Sequence, residues 1–555
     1  MKKFTAILLA VVMLFALSAS AFAATNSLET DYAIGDGLGV SVDLDIEGMY
    51  FDGVDILNTA TNGYYPFSFS LIASDRSKVA SVTVSNGGSF HWAYAQNADG
   101  SYVTDEDGNY VESTTTNYGV VVLPTTSAST VTVTGTGNIG SATFNCAQPN
   151  GGTTAAGAAL YAYLPAPAQF VNEGVTTGGW GDAYDSNGTV KATSSTGVSL
   201  GFFGGYAVYE FENPIADDPT HPYGADFIVY GNAFWNNSEA GCIQVSKDGA
   251  TWYDIAGSMY YTKSTKGATI TYTNPSTSED AGITAAGTNL GTLAPVNYTL
   301  NGTAGTVTTN TFHNHSWFPL NANYFTASGS RAAMAKLDEF SFVSRTLASN
   351  GVTNTLTFTG TLLTDYPGTG KTDQIGFGYC DVHPNKTLGG TIAYNPYQTF
   401  TSSSDYDTKV AGTSGGDPID IAWAVKSNGT PANLDSIRYV RIYTGMAQMN
   451  GIFGEISTEV CGVAACTGST TETAATPTIS VDGSTVTTTN GGILPLSKKS
   501  GDYTVNVTGT GYVYINGVAT TSATITPTRT GTKVQIIAQN GEAAPYVTYL
   551  NLQKK

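Results

Sequence analysis

Apolar residues alternate with Thr, Ser or Asn along most of this chain. "SVTVSN" (81–86), "STVTVTGTG" (129–137), "NTLTFTGTLL" (354–363) and "TVNVTGTGYVYINGV" (504–518) all show period two. That spacing puts one face of an extended segment inward and the other outward, so it predicts β-strands. Turn dipeptides of the hairpin type punctuate the pattern, among them Asn62-Gly63, Asp107-Gly108, Asn187-Gly188, Asp248-Gly249, Asn428-Gly429 and Asn516-Gly517. Helical periodicity is nearly absent, and "RAAMAKLDEF" (331–340) is the best short exception. The predicted class is all-β, built from sandwiches or jelly rolls.

A chain of 555 residues exceeds what one core serves, so about three domains are expected. Residues 24–160 make a first β domain that ends in a small-residue stretch. Residues 161–467 make a larger central β-sandwich with most of the Trp and Cys. Residues 468–476 read as a linker by composition, and 477–555 as a compact immunoglobulin-like module. "VTVTGTG" at 131–137 is echoed by "VNVTGTG" at 505–511.

At the N-terminus, Lys2 and Lys3 precede an apolar run from Phe4 to Leu17, followed by Ala21-Phe22-Ala23. This is the layout of a signal peptide cut after Ala23. The expected location is extracellular or at the cell surface, with the periplasm as a further option, and no integral membrane segment after the leader is removed. The formal net charge is −20, which disfavours nucleic acid and anionic lipid as partners. Five cysteines (Cys146, Cys242, Cys380, Cys461, Cys466) are too few for a disulfide-built scaffold. Cys461 and Cys466 are spaced to close a small loop.

Catalytic signatures are missing. There is no GxSxG and no HExxH, and no Ser/His/Asp set stands in a recognisable context, so no catalytic residue is assigned. His313 and His315 form a close pair, with His383 as a distant third ligand candidate; a structural role is the commoner outcome. No cofactor is firmly implied. The acidic excess is compatible with bound Ca²⁺, and adjacent Asp217 and Asp218 in a connecting segment are the candidate ligands. Exposed acidic turns are the commoner explanation of such a pair.

Thirty-three Tyr, twenty-three Phe and six Trp leave binding as the other chemistry to consider. Trp180 lies among glycines in "TTGGWGDAY", and Trp235 lies beside Asn236 and Asn237 in "NAFWNNSEAG". An aromatic ring flanked by amides suits stacking on a sugar or a flat macrocycle. "SIRYVRIYTG" (436–445) reads as a strand ended by Gly445, "MAQMNG" as a rim loop, and "GEISTEV" (454–460) as the next strand. Met446 and Met449 offer adaptable apolar contact there, while Gln448 and Asn450 offer amides. Plugging the end of the sandwich is the alternative role for the two methionines. Trp180, Trp235, Asn236 and the loop Met446–Asn450 are therefore the expected ligand-binding rim of the central sandwich.

Several segments of the central region occur together in order: "YLPAPAQFVNEG" (163–174), "SLGFFGGYAVYEFENPI" (199–215), "DFIVYGNAFWNNSEAG" (226–241), "VSKDGATWYDIAGSMYY" (245–261), "GFGYCDVHPN" (376–385) and "DPIDIAWAVKSNGTPANLDSIRYVRIYTG" (417–445), closed by "GMAQMNGIFGEISTEV" (445–460). This series resembles a group of bacterial "cell surface proteins" of anaerobes. The pattern there has Trp where this chain has Phe202-Phe203 and Phe453. The resemblance covers about 300 residues. It implies non-catalytic surface binding, and some relatives look linked to surface systems that capture corrinoids. The expected function is ligand binding at the cell surface, with a glycan, a corrinoid or tetrapyrrole-like molecule, or a surface protein as partner. A structural or adhesive envelope component and a glycan-active hydrolase are the alternatives.

Overall fold

The computed structural model describes residues 29–35, 38–43, 49–52, 55–58, 68–93, 95, 103, 105, 111–123, 128–146, 157–170, 197–235, 237–247, 249, 251–275, 295–308, 317–319, 343–347, 353–364, 376–392, 394–449, 454–474, 476–509 and 511–555. The leader (1–23), Trp180, Asn236, His313, His315, the segment 331–340 and Asn450 lie outside them. Among the described residues, nearly everything regular is strand, and the only α-helix is the short Ser403–Lys409. The all-β class expected from the period-two pattern is what the chain adopts. No helix among them is long and apolar enough to cross a membrane.

The first sandwich pairs two five-stranded sheets. One runs in the order Glu29–Gly35, Leu38–Asp43, Ser68–Ala73, Tyr118–Val122, Ser89–Trp92. The other runs Met49–Asp52, Asp55–Asn58, Ser141–Cys146, Ser129–Gly135, Val79–Val84. Strand Ser129–Gly135 buries every second residue. Val131 and Val133 enter a core with Leu71, Val121, Phe144 and Cys146, while Thr132 faces outward and bonds Thr143 across the ladder.

The central unit is larger. A six-stranded sheet runs Ala158–Leu164, Tyr206–Ala216, Ser436–Thr444, Gly241–Ser246, Tyr253–Ile255, Ala424–Val425. Strand Ala158–Leu164 straddles the boundary expected at residue 160 and pairs wholly with this sheet. A five-stranded antiparallel sheet (Thr303–Val307, Val296–Leu300, Ser264–Thr273, Thr353–Leu363, Val343–Leu347) packs against it. Phe202, Phe203, Tyr206, Ile243, Ile270, Tyr272, Phe358 and Ile442 belong to their shared core. Phe202 and Phe203, the aromatic replacements noted in the sequence, are core residues. A third sheet, Asp417–Ile419, Phe227–Tyr230, Gly462–Ala465, borders a separate aromatic cluster. Strand Ser436–Thr444 ends at Gly445 as the pattern predicts. It is dry on both faces because Arg438 pairs with buried Glu210 at 2.8 Å and the Arg441 guanidinium lies 5.1 Å from the Tyr443 ring.

The C-terminal unit is a second two-sheet sandwich, with orders Ser484–Val486, Thr478–Val481, Tyr503–Thr508, Ser522–Ile525 and Ile493–Lys498, Tyr546–Lys554, Thr532–Gln539, Tyr512–Ile515, Val518–Ala519. Asn516 and Gly517 both take positive φ (51° and 76°) in the two-residue turn between its last-named strands, the conformation this dipeptide favours. Strand Tyr546–Lys554 serves two cores by alternation. Leu550 and Leu552 point into the module, while Val547 and Tyr549 point into the central core. The Tyr514 hydroxyl donates to the Tyr397 carbonyl at 2.8 Å, and Asn395 donates to Gln539 at 2.8 Å. The expected linker is tied at two points: Thr470 N–H to the Thr220 carbonyl at 2.7 Å, and Glu542 N–H to Glu472 at 2.8 Å. The C-terminal module is therefore docked on the central unit through buried apolar side chains and these hydrogen bonds.

Cys242, Cys380, Cys461 and Cys466 are free thiols. Cys461 and Cys466 flank the extended strand Gly462–Ala465, which holds them apart, so the small loop their spacing suggested does not form.

Candidate functional site

The segment 231–240 leaves strand Phe227–Tyr230 and returns to the six-stranded sheet at Gly241. Its tip is a tight turn, with Asn237 N–H bonding the Phe234 carbonyl at 3.0 Å. The turn holds Phe234 out in solvent at 63% exposure, the largest value among the exposed large apolar residues described. Trp235 turns the other way and is half-buried. Its ring lies 6.4 Å from Phe400, edge-on, and 6.1 Å from Tyr406.

Those two rings belong to a cage around His383. The imidazole stacks on Tyr406 (5.7 Å, 8° between planes) and meets Tyr394 and Phe400 edge-on, each at 5.4 Å. Its Nδ1 bonds the Asp417 carboxylate at 2.8 Å. One ring nitrogen is so engaged and the ring is enclosed by aromatic side chains; His313 and His315, the pair it was expected to join, lie outside the described residues. Tyr406 comes from helix Ser403–Lys409, which Ser402 caps by accepting from Asp405 N–H at 3.1 Å. The inward side of that helix buries Tyr406 and its outward side presents Asp407, which pairs with Lys386. Beside this pair lies a cleft of about 460 Å³, walled by Lys386, Thr387, Thr391, Asp407, Val410 and Thr413. Tyr406 joins the two features, with Trp235 on one side and the Lys386 ammonium 5.4 Å from its ring on another.

The other rim loop folds differently. Gly445 is clamped between Ala240 and Leu363 by backbone bonds of 3.1 and 2.7 Å. A Cβ there would sit 2.6 Å from the Cys242 sulfur, so only glycine fits. This clamp turns Met446 inward, where it is fully buried in the central core. Met449 packs against the same core from a half-buried position, and Gln448 is half-buried with its carbonyl accepting from Ile456 N–H at 2.9 Å. Met446 is thus a plug of the sandwich end. Beyond it, only Glu459–Val460 of "GEISTEV" is strand. In the segment before it the Ser457 hydroxyl bonds inward, sharing a hydrogen bond with the Ser199 hydroxyl at 2.7 Å and accepting from Gly201 N–H at 2.9 Å.

Those inward bonds build a buried carboxylate cluster that sequence reasoning missed. Oxygens of Glu239, Asp381 and Glu459 all lie within 4.8 Å of one another. Asp381 is fully buried and sits at φ +62°. Its oxygens accept from Asn232 N–H at 2.7 Å and Glu459 N–H at 3.1 Å. Gly231 makes room for it, since a Cβ there would lie 2.3 Å from Asp381 Oδ1. Glu239 and Glu459 share a hydrogen bond, so one of the two holds the proton, and Ser199, Ser457 and Asn232 also bond Glu459. Burial, then the fields of Glu459 and Asp381, pushes Glu239 well above the carboxylate range. Burial lifts Glu459 to about 7 and nearby Glu455 to about 8.

A second cluster contains one of the two candidate calcium ligands. Asp217 joins Asp226 and Asp420, with oxygens within 4.8 Å. Asp218 is turned aside: its Oδ1 accepts from the Thr220 amide and hydroxyl at 2.9 and 2.7 Å. Asp226 accepts from Asp218 and Ile421 N–H groups at 3.0 and 2.9 Å, and His221 Nδ1 lies 3.3 Å from it. Asp420 caps a 3₁₀ turn by accepting from Ala422 N–H at 2.7 Å.

No known protein family and no curated protein matches the chain. The functional reading therefore rests on the geometry and on the resemblance carried by the ordered motifs.

Proposed function

We propose that this is an exported, non-catalytic binding protein of the bacterial cell surface, and that it recognises a glycan at the Phe234–Trp235 rim of its central unit. The observation that carries this reading is Phe234. A phenylalanine held in solvent by a hydrogen-bonded turn loses the burial that normally keeps the residue inside, and such a ring is well suited to stack on the face of a sugar. The half-buried Trp235 next to it, packed on Phe400 and Tyr406, anchors the turn that carries Phe234. The neighbouring cleft supports the choice of ligand class. It has the size of a small-molecule site, and three threonines and a Lys–Asp pair line it, which suits a hydroxyl-rich ligand better than the broad apolar face of a corrinoid.

An immobilised panel of bacterial and plant glycans, run beside a corrinoid panel, tests the reading. Binding to one glycan class by the native chain, lost in Phe234→Ala, is the expected result. Binding to corrinoids alone would assign the rim to the macrocycle. Silence on both panels, together with large assemblies in light scattering, would favour an envelope scaffold.

A further inference from the structure

The C-terminal module is charged oppositely to the rest of the chain. Residues 24–476 hold fifteen Lys and Arg against forty Asp and Glu, whereas 477–555 hold six against three. Five of those six cations converge at one end of the module. Strands Ile493–Lys498 and Tyr546–Lys554 run parallel, with Lys498 opposite Lys554. Lys555 N–H bonds the Lys498 carbonyl and Lys554 N–H bonds the Thr528 carbonyl, each at 2.9 Å. Lys499 and Arg529 come next along the two flanking segments. Three backbone segments thus lie side by side across about 10 Å, twice the spacing between strands.

Lys498 is already committed. Its ammonium bonds Asp482 at 2.8 Å and the Asp502 carbonyl, and it lies 4.1 Å from the Tyr503 ring centre. Lys499, Arg529, Lys554 and Lys555 are exposed, and among the described residues none of the four forms an ion pair. The Asp502 carboxylate and a terminal carboxylate at Lys555 offset part of this charge and still leave a surplus. Like charges gathered on neighbouring strands destabilise a sheet, so packing of the module does not account for the grouping.

Two further features bear on the partner. Val547 and Tyr549 enter the central core, and Lys554 lies five residues, about 17 Å, further along the strand. The screening length in physiological salt is about 8 Å, so the acidic body acts weakly at this end. Where the Gly429 turn reaches further, it packs on the Lys533 stem, and residues 424–434 hold Lys426 and no acid. Among the described residues, the exposed large apolar side chains of the module are Ile493, Tyr512 and Val518. Their cross-strand partners are Tyr549, Gln539 and Ile515, in the other half of the module. The basic end therefore lacks both the apolar centre of a protein–protein contact and the apolar face that inserts into a membrane surface.

We infer that this end holds the protein to an anionic polysaccharide of the cell envelope, a polymer carrying repeated carboxylate or phosphate groups. Each exposed cation meets an anionic group of the polymer, and release of counterions drives the contact. The envelope as the place rests on the exported reading above; the polyanion chemistry stands on the module alone.

Binding of the full mature chain to immobilised polygalacturonate and polyphosphate, with neutral dextran as reference, tests this at low and high salt. The expected result is binding to at least one polyanion at low salt, weaker by at least about tenfold at high salt, and none to dextran. The quadruple variant Lys499→Ala, Arg529→Ala, Lys554→Ala, Lys555→Ala should bind at least about tenfold more weakly at an unchanged melting temperature. Phe234→Ala should bind the polyanions as the native chain does, which separates this result from any failure of the glycan rim. Native binding by the quadruple variant, equal binding to dextran, or no binding of the native chain to either polyanion would overturn the assignment. Self-association, or capture by anionic phospholipid vesicles, that the quadruple variant abolishes while neither polyanion binds would move this end to a second copy or to a membrane.

Discussion

Two loops at the end of the central unit carry the apolar residues that look most like contacts for a ligand, and they behave in opposite ways. In the segment 445–449 the backbone clamp at Gly445 drives Met446 into the core, fully buried. In the segment 231–240 a bonded turn does the reverse and leaves Phe234 63% exposed. Both loops start from strands of the same unit, and Glu239 at the end of the 231–240 segment belongs to the carboxylate cluster. What separates them is where the backbone is tied. A clamp at the strand exit fixes the first side chain inward, whereas bonds at the turn tip fix it outward. An apolar residue in a loop is therefore informative about recognition only once its backbone partners are known.

Substitutions can break this contrast, and the largest effect is expected in the plug. Met446→Ala should cost about 2–5 kcal/mol in chemical denaturation, the range for emptying a buried large side chain. Glycan binding by the folded fraction should persist. Loss of binding without loss of stability would instead place Met446 at the rim. Trp235→Ala comes next. Its ring is only half-buried against Phe400 and Tyr406, so a loss of roughly 1–2 kcal/mol is expected, together with weaker binding because the turn that carries Phe234 loses its anchor.

The pH response sharpens the link between the loops. Glu239 is held well above its ordinary value, and Glu459 and Glu455 at about 7 and 8. Each carboxyl holds its proton more tightly folded than unfolded. Their contribution to stability is thus complete below the unfolded carboxylate value and is lost as pH rises through about 7–8. The melting temperature should fall between about pH 5 and pH 9, and a flat profile over that range would contradict the protonated, buried state of these carboxyls. The smallest stability effect belongs to Phe234→Ala, within about 0.5 kcal/mol, since the ring is largely in water already.

Much of the architecture was legible in the chain. Alternation in "STVTVTGTG" gave the strand Ser129–Gly135 and its inward Val131 and Val133, and Asn516-Gly517 gave its turn. The docking of the C-terminal module was not legible. Strand Tyr546–Lys554 is buried on both faces over Tyr546–Leu550, and the sequence of that run, with Thr548 at its centre, does not say that its second face meets another unit. The aromatic stretch "NAFWNN" was recognisable as a binding candidate, but period and composition could not show that Phe234, and not Trp235, is the ring in solvent. The carboxylate cluster was invisible for a different reason. Asp381 lies 78 positions from Glu459 and 149 from Asn232, and only the crossing of the three segments brings their polar groups together. Trp180, Asn236 and Asn450 lie outside the described residues.

The most direct test of the recognition loop is a calorimetric titration of the strongest glycan from the panel into three proteins: the native chain, Phe234→Ala and Met446→Ala. A loss of at least about tenfold in affinity for Phe234→Ala, at an unchanged melting temperature, with native affinity in Met446→Ala, is the predicted result. Native affinity in Phe234→Ala would contradict it and remove the 231–240 loop as the binding surface.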